Sequence, residues 1–204
     1  MESYLFIKEM KIKEKNLLSL DRYIEESLYN KKFGYYMKKD PFGKRGDFIT
    51  APNISILFSE MIAIWIISFW ENLKRPKKFN LIELGAGNGE MMNVLINTFN
   101  KFPKFKDACN INILEKSKLL KKIQKKNIKN QNTRWLKNLN ELNNSPSIFI
   151  ANEFFDALPI KQFIYKNQKW FERYVEIDKF NKTKFLDIET KLPNFKKICK
   201  IDIA

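Results

Sequence analysis

The stretch LIELGAGNGE, residues 81–90, constrains the fold more than any other part of the chain. A short apolar run passes straight into Gly85, Gly87 and Gly89, spaced G-x-G-x-G. EMMNVLINTF then follows with Met92, Leu95, Ile96 and Phe99 at helical spacing. A strand that enters a helix through glycines permits a tight turn and lets a ligand approach the backbone closely. Downstream, ACNINILE reads as a second buried strand and KSKLLKKIQKKNIKN as a helix with Leu119, Leu120 and Ile123 on one face. TRWL reads as a short third strand, and SPSIFIA as a buried strand rich in β-branched and aromatic residues. This alternation predicts an α/β protein with a doubly wound parallel sheet. Right-handed crossovers gather the carboxyl ends of such strands on one edge. The glycine loop and NEFFDALP, residues 152–159, then share that edge.

Two acids indicate what the loop binds. Glu115 closes the second strand 26 residues after Gly89, where an acid accepts hydrogen bonds from both hydroxyls of a ribose. Glu83 stands two residues before Gly85 and suits a ligand with a cationic amine better than a pyrophosphate. The third glycine also comes one residue early for the dinucleotide fingerprint G-x-G-x-x-G. S-adenosylmethionine is therefore favoured over NAD, with a purely structural strand-to-helix turn as the alternative. In NEFFDALP, Glu153 and Asp156 either position an acceptor or cap the turn after the strand.

The composition removes several chemistries. The chain of 204 residues contains no histidine, which excludes a His-based triad, a His metal site and a His general base. Cys109 and Cys199 lie far apart without a CxxC partner, against a disulfide framework or a thiolate zinc site. No metal is expected. The net charge of +15 comes mostly from lysines spread among Asn, Ile and Phe, a distribution that predicts solvated faces rather than a nucleic-acid partner. The opening MESYLFIKEMKIKEK lacks the apolar core of a secretory signal, and it is too acidic and Arg-poor for a good mitochondrial presequence. ISILFSEMIAIWIISFW is interrupted by three serines and Glu60, so it reads as a buried core helix rather than a membrane span. The expected location is the cytoplasm, or the mitochondrial matrix in a eukaryote.

Elsewhere, SLDRYIEESLYN predicts an amphipathic helix capped by Ser19, with Leu20, Ile24 and Leu28 at a spacing of four. FGYYMKKDPFGKRGDFITAPN is loop, and a second helix is expected from about Asn53 to Leu73. KQFIYKNQKWFERYVEI predicts a hairpin turning at Asn167–Gln168, although that is not the favoured Asn-Gly pair. The tail from Asp178 is ambiguous.

Taken together, DPFGKRGDFITAPNIS preceded by FGYY, LIELGAGNGEMM, ILEKS, IANEFFDALPIKQF and WFERYV resemble the MidA family over about Leu20 to Val175. These are S-adenosylmethionine-dependent methyltransferases related to the mitochondrial complex I assembly factor that methylates an arginine of a respiratory subunit. The resemblance implies a class I methyltransferase fold, Rossmann-like and doubly wound. It also implies two parts: an N-terminal helical segment with the site loop, 1–76, and a cofactor-binding core with an inserted hairpin, 77–204. It places the cofactor against Glu83, Gly85, Ala86, Gly87, Gly89, Glu115 and Asn152, with Phe48 and Thr50 of the loop folding over it. Glu153, Asp156 and Asn152 would orient the acceptor guanidinium, with Asp40, Asp47 and Phe155 near the protein substrate. Family members extend further, to a sheet of seven strands. Only about four strands and a hairpin are read here, which leaves the SIFIA strand with an open neighbour position. Two alternatives remain: a catalytically impaired binding or assembly module, and an enzyme methylating an amide or base nitrogen. The latter is suggested by Asn152 with Phe155 three residues on.

Overall fold

A computed structural model of the chain describes residues 17–43, 46–129, 132–178, 180 and 182–191. It divides into two compact units, one of residues 29–157 and one formed by the segments on either side. The expected boundary at 76/77 falls inside the first of these, so the site loop and the glycine loop belong to one body.

The unit of residues 29–157 holds the parallel sheet. Its strands are β2 (Phe79–Leu84), β3 (Cys109–Leu114), β4 (Arg134–Leu136) and β5 (Ser147–Ile150). Their spatial order is β4-β3-β2-β5, and every pairing is parallel. Helix α5 (Glu90–Phe99) and the short α6 (Pro103–Ala108) connect β2 to β3, and α7 (Lys118–Asn127) connects β3 to β4. The strand order reverses between β2 and β5, so their carboxyl ends open the crevice where a doubly wound sheet binds its ligand. Among the described residues β5 has no strand on its outer side, as the strand count led us to expect.

The segment read as loop holds a short helix, α2 (Tyr35–Lys38), and the long helix expected from Asn53 is two helices, α3 (Ala51–Ile54) and α4 (Ile56–Asn72). Pro52 sits in the first turn of α3, where its fixed φ and missing N–H are tolerated, and Ser55 is extended at φ −143°, the backbone of an N-cap. Ser59, Ala63, Ile66, Ile67 and Trp70 bury one face of α4. Ala63, Ile66, Ile67 and Trp70 join Phe79, Leu81, Leu95, Phe99 and Phe105 in the main core. There the Phe105 ring lies 4.6 Å from Phe99, 5.1 Å from Phe79 and 5.4 Å from Trp70, centroid to centroid. On α7 the buried residues are Leu120 and Gln124, while Leu119 and Ile123, expected on the inner face, are half-buried.

The other unit is an antiparallel sheet. The expected hairpin exists as β6 (Phe163–Lys166) and β7 (Lys169–Ile177), turning at Asn167 and Gln168 with φ of 49° and 58°. It belongs to a larger sheet. β1 (Leu17–Ser19) pairs with one edge of β7, and β8 (Thr183–Thr190) supplies a further strand from the ambiguous tail. Helix α1 (Leu20–Tyr29) follows β1 without a break, and Leu20 packs with Val175 and Ile177. Residues 1–16, with the presequence question, and the tail beyond 191 lie outside the described residues.

Candidate active site

The turn after β2 is built as its glycines require. Gly85, Gly87 and Gly89 have φ of 67°, 53° and 85°, the left-handed region that L side chains rarely enter. Gly85 N–H donates to the Leu114 carbonyl at 2.9 Å, and Gly89 N–H to that of Ala86 at 2.7 Å. A β-carbon at Gly85 would come within 2.6 Å of Cδ2 of Phe154, and one at Gly87 within 3.4 Å of the Phe42 ring. These two phenyl rings therefore form walls over the loop.

Two small hollows of about 50 Å³ and about 60 Å³ adjoin the loop. The first is lined by Thr50, Asn53, Glu83, Ala86, Glu90 and Asn152 among others. The second is lined by Tyr29, Tyr36, Glu115, Lys116, Leu120 and Phe154 among others. Phe42, Gly85, Gly87 and Glu153 border both. A larger groove of about 620 Å³ lies at the amino end of β3, walled by Asn93, Asn97, Asn100, Lys106 and Cys109. It has neither the glycine loop nor the paired acids, and burial pushes the Cys109 thiol far above its ordinary range, so it offers no nucleophile.

Glu83 is buried, and its Oε2 has no hydrogen-bond partner. Burial first, and the nearby charge of Glu115 second, raise its pKa to about 8. Glu115 is held from both sides. Its Oε1 accepts from Ser117 N–H at 2.8 Å, and its Oε2 accepts from Gln124 Nε2 at 2.9 Å. Burial pushes its carboxyl up, while those donors hold it down. Ser117 Oγ in turn donates to the Tyr36 carbonyl at 2.7 Å and accepts from Leu120 N–H, capping α7.

Beyond β5, Asn152 is half-buried and Glu153 exposed, the latter at φ 47°. A non-glycine residue held there stores local strain, a feature that clusters at ligand sites. Phe155–Ala157 form one 3-10 turn, and Tyr29 Oη donates to the Ala157 carbonyl at 3.0 Å. Burial raises the Tyr36 phenol pKa, and the charges of Asp156, Glu115 and Glu153 push it further. Three acids from two strand ends thus act on one phenol.

The expected site residues separate into two groups. Glu83, Gly85, Ala86, Gly87, Asn152, Glu153 and Thr50 line the first hollow, Glu115 lines the second, and Gly89 starts α5. The others line neither. Asp40 Oδ1 accepts from Phe42 N–H at 3.0 Å, closing a turn. Asp47 is exposed, ion-paired with Lys39 at 2.6 Å and hydrogen-bonded by Tyr35 Oη. Phe48 packs on Tyr35 and Phe42, and Phe155 is 67% exposed. Asp156 is exposed, near Tyr36. Tyr29, Tyr36, Phe42, Phe154 and Gln124 were not anticipated. The local signals were the aromatic pair in FGYY, the phenylalanine of DPFG and the first phenylalanine of NEFFDALP. Among the described residues no cluster is placed to hold a metal, and no helix is long and apolar enough to cross a membrane.

Known proteins resemble this chain in sequence and in fold. A family model described as "Putative S-adenosyl-L-methionine-dependent methyltransferase" matches residues 61–200. The protein arginine methyltransferase NDUFAF7, mitochondrial, of Xenopus laevis is 34% identical, the match covering 82% of this chain and 44% of that protein. Its Homo sapiens counterpart is 31% identical with the same two coverages. The chain thus spans less than half the length of these relatives. A COG1565 superfamily member from Burkholderia thailandensis, solved with S-adenosyl-homocysteine, superposes with a TM-score of 0.77 at 23% identity. That alignment covers 98% of this chain and 53% of the other. With the match extending over more than half of its residues, the chain belongs to this family of S-adenosyl-L-methionine-dependent methyltransferases.

Proposed function

We propose that the chain binds S-adenosylmethionine along the glycine loop and directs its methyl group to an arginine of a protein substrate, a respiratory-complex subunit being the proposed target. The observation that carries this reading is the pair of acids flanking one glycine turn, Glu83 buried and Glu115 half-buried. Glu83 has an oxygen with no partner and suits an ammonium group, while Glu115 is oriented by two donors and suits ribose hydroxyls. When bound, the cofactor supplies a methyl group on a sulfonium with a good leaving group. The protein's part is then orientation and electrostatics, which needs no histidine. Glu153 and Asp156 hold the planar cationic fork of the acceptor, and a carboxylate there takes the proton that the guanidinium gives up. Asn152 contributes an amide between the two ligands. Phe42 and Phe154 exclude water above the loop. We place the protein in a reducing compartment, the cytoplasm or, in a eukaryote, the mitochondrial matrix.

Labelled methyl transfer to acid-stable protein, with methylarginine identified in the hydrolysate, tests the reading. E153Q and D156N should each lower transfer about 100-fold while leaving S-adenosylhomocysteine affinity within about threefold. Label recovered in RNA alone would sink the arginine proposal. A second reading, a module that binds the cofactor and a partner without transfer, is favoured by the side of β5 that no strand among the described residues covers and by the apolar residues Leu57, Met61 and Trp65 exposed on α4. Intact binding with no transfer to any acceptor would select it.

A further inference from the structure

We infer that Gln124, in the middle of lysine-rich α7, is a positioning residue that sets the Glu115 carboxylate and the glycine loop in one fixed relation. The inference rests on the cofactor reading above and extends it to a side chain that touches no ligand. Gln124 is fully buried on a helix whose other polar residues are half-buried or exposed. A buried amide is costly unless all of its groups are paired. Here Nε2 donates at 2.9 Å to the Gly87 carbonyl and at 2.9 Å to Glu115 Oε2, while Oε1 accepts from Trp135 Nε1 at 3.0 Å.

Trp135 gives the amide its direction. An indole N–H only donates, so it requires the amide oxygen on its side. The NH2 must then face the carbonyl and the carboxylate. The flipped amide would set its oxygen against two acceptors and its NH2 against a donor. One side chain therefore ties the turn that passes the methionine part of the ligand to the acid that takes the ribose. The Glu115 carboxylate is fixed at both oxygens, by Gln124 and by Ser117 N–H, before any hydroxyl arrives. Such preorganisation strengthens hydrogen bonding to the ligand because the acid need not be oriented at the moment of binding.

The same donors hold the Glu115 carboxyl down against its burial. Removing one moves its titration upward, so ribose binding should fail at a higher pH.

The test compares S-adenosylhomocysteine with its 2′,3′-dideoxyribosyl analogue on the full chain, by calorimetry across pH. Q124M should weaken S-adenosylhomocysteine about tenfold or more and shift the acid limb of its affinity to higher pH. It should weaken the dideoxy analogue clearly less, because that ligand feels only the freed Gly87 turn and makes no demand on Glu115. In an E115Q background the Q124M effect on S-adenosylhomocysteine should shrink to the loss seen with the dideoxy analogue. Equal losses for the two ligands, or full additivity with E115Q, would overturn the positioning role. If Q124M does not fold, W135F answers the same question. It removes the donor that orients the amide while leaving Gln124 and Glu115 in place, and the same two outcomes decide. Wild-type chain that binds neither ligand overturns the cofactor reading and this inference together. Wild-type binding with an indifferent Gln124 overturns this inference alone.

Discussion

Buried Glu83 departs far from the ordinary chemistry of a carboxylate. Its folded pKa of about 8 stands above the ordinary 4.5, so the folded chain holds a proton that the unfolded chain has released. The sign follows from linkage. Stability is fully present below the unfolded pKa and declines as pH rises through the folded one, levelling off above it. E83Q should abolish that decline when urea unfolding is measured from about pH 5 to about pH 9. An ammonium-bearing ligand should ionise Glu83, so S-adenosylhomocysteine binding near pH 7 should release close to one proton in wild type and almost none in E83Q. Calorimetry in buffers of different ionisation enthalpy reads this directly, and equal release in both proteins would contradict it. Gly85 makes a second demand at this scale. With φ of 67° and Phe154 within 2.6 Å of a β-carbon, G85A should displace the ring and weaken S-adenosylhomocysteine at least about tenfold. An unchanged affinity in the same titration would mean that the ring is not a wall of the site. Both residues were legible in the sequence because each answers a local requirement, a backbone shape or an acid at a strand end. Gln124 and Tyr36 were not. Their roles depend on side chains brought together from distant segments, which leaves no pattern along the chain.

The strands of the parallel sheet were legible as elements because each is a short apolar run bounded by turn residues. The break at Ser55 was hidden by the apolar continuity of ISILFSEMIAIW, although Pro52 marks the start of a separate turn. β8 was missed because TKFLDIET carries charges on both faces. Several of these are paired across the sheet, as in Asp187 with Arg173 and Lys166 and Glu189 with Lys169. The hairpin was read correctly, and its turn shows why the residue pair looked unfavourable. Both central residues have positive φ, which asparagine tolerates and glutamine does not. Q168G should relieve that strain, partly offset by the greater freedom of glycine in the unfolded chain, and stabilise by about 0.5–1 kcal/mol. A midpoint in urea that stays put or falls would contradict a type I′-like turn here.

At the scale of the whole molecule, the parallel, doubly wound sheet was foreseeable from the alternation of strands and helices, since right-handed crossovers leave few topologies. The division into units was not. Residues 17–28 join a body formed mainly by residues after 157, through the pairing of Leu17–Ser19 with Tyr174–Glu176. Only strand pairing reveals such a discontinuous unit. It also places the DPFG and GDFITAP segments with the parallel sheet, so the loop, the two acids and the NEFFDALP turn can serve one ligand. The central claim is that this edge is a seat for S-adenosylmethionine chemistry. Titration of the chain with S-adenosylhomocysteine and with NAD, in wild type and E115A, tests it most directly. We expect selective binding of S-adenosylhomocysteine, weakened about tenfold or more by E115A. No binding, or equal affinity for NAD, would contradict it.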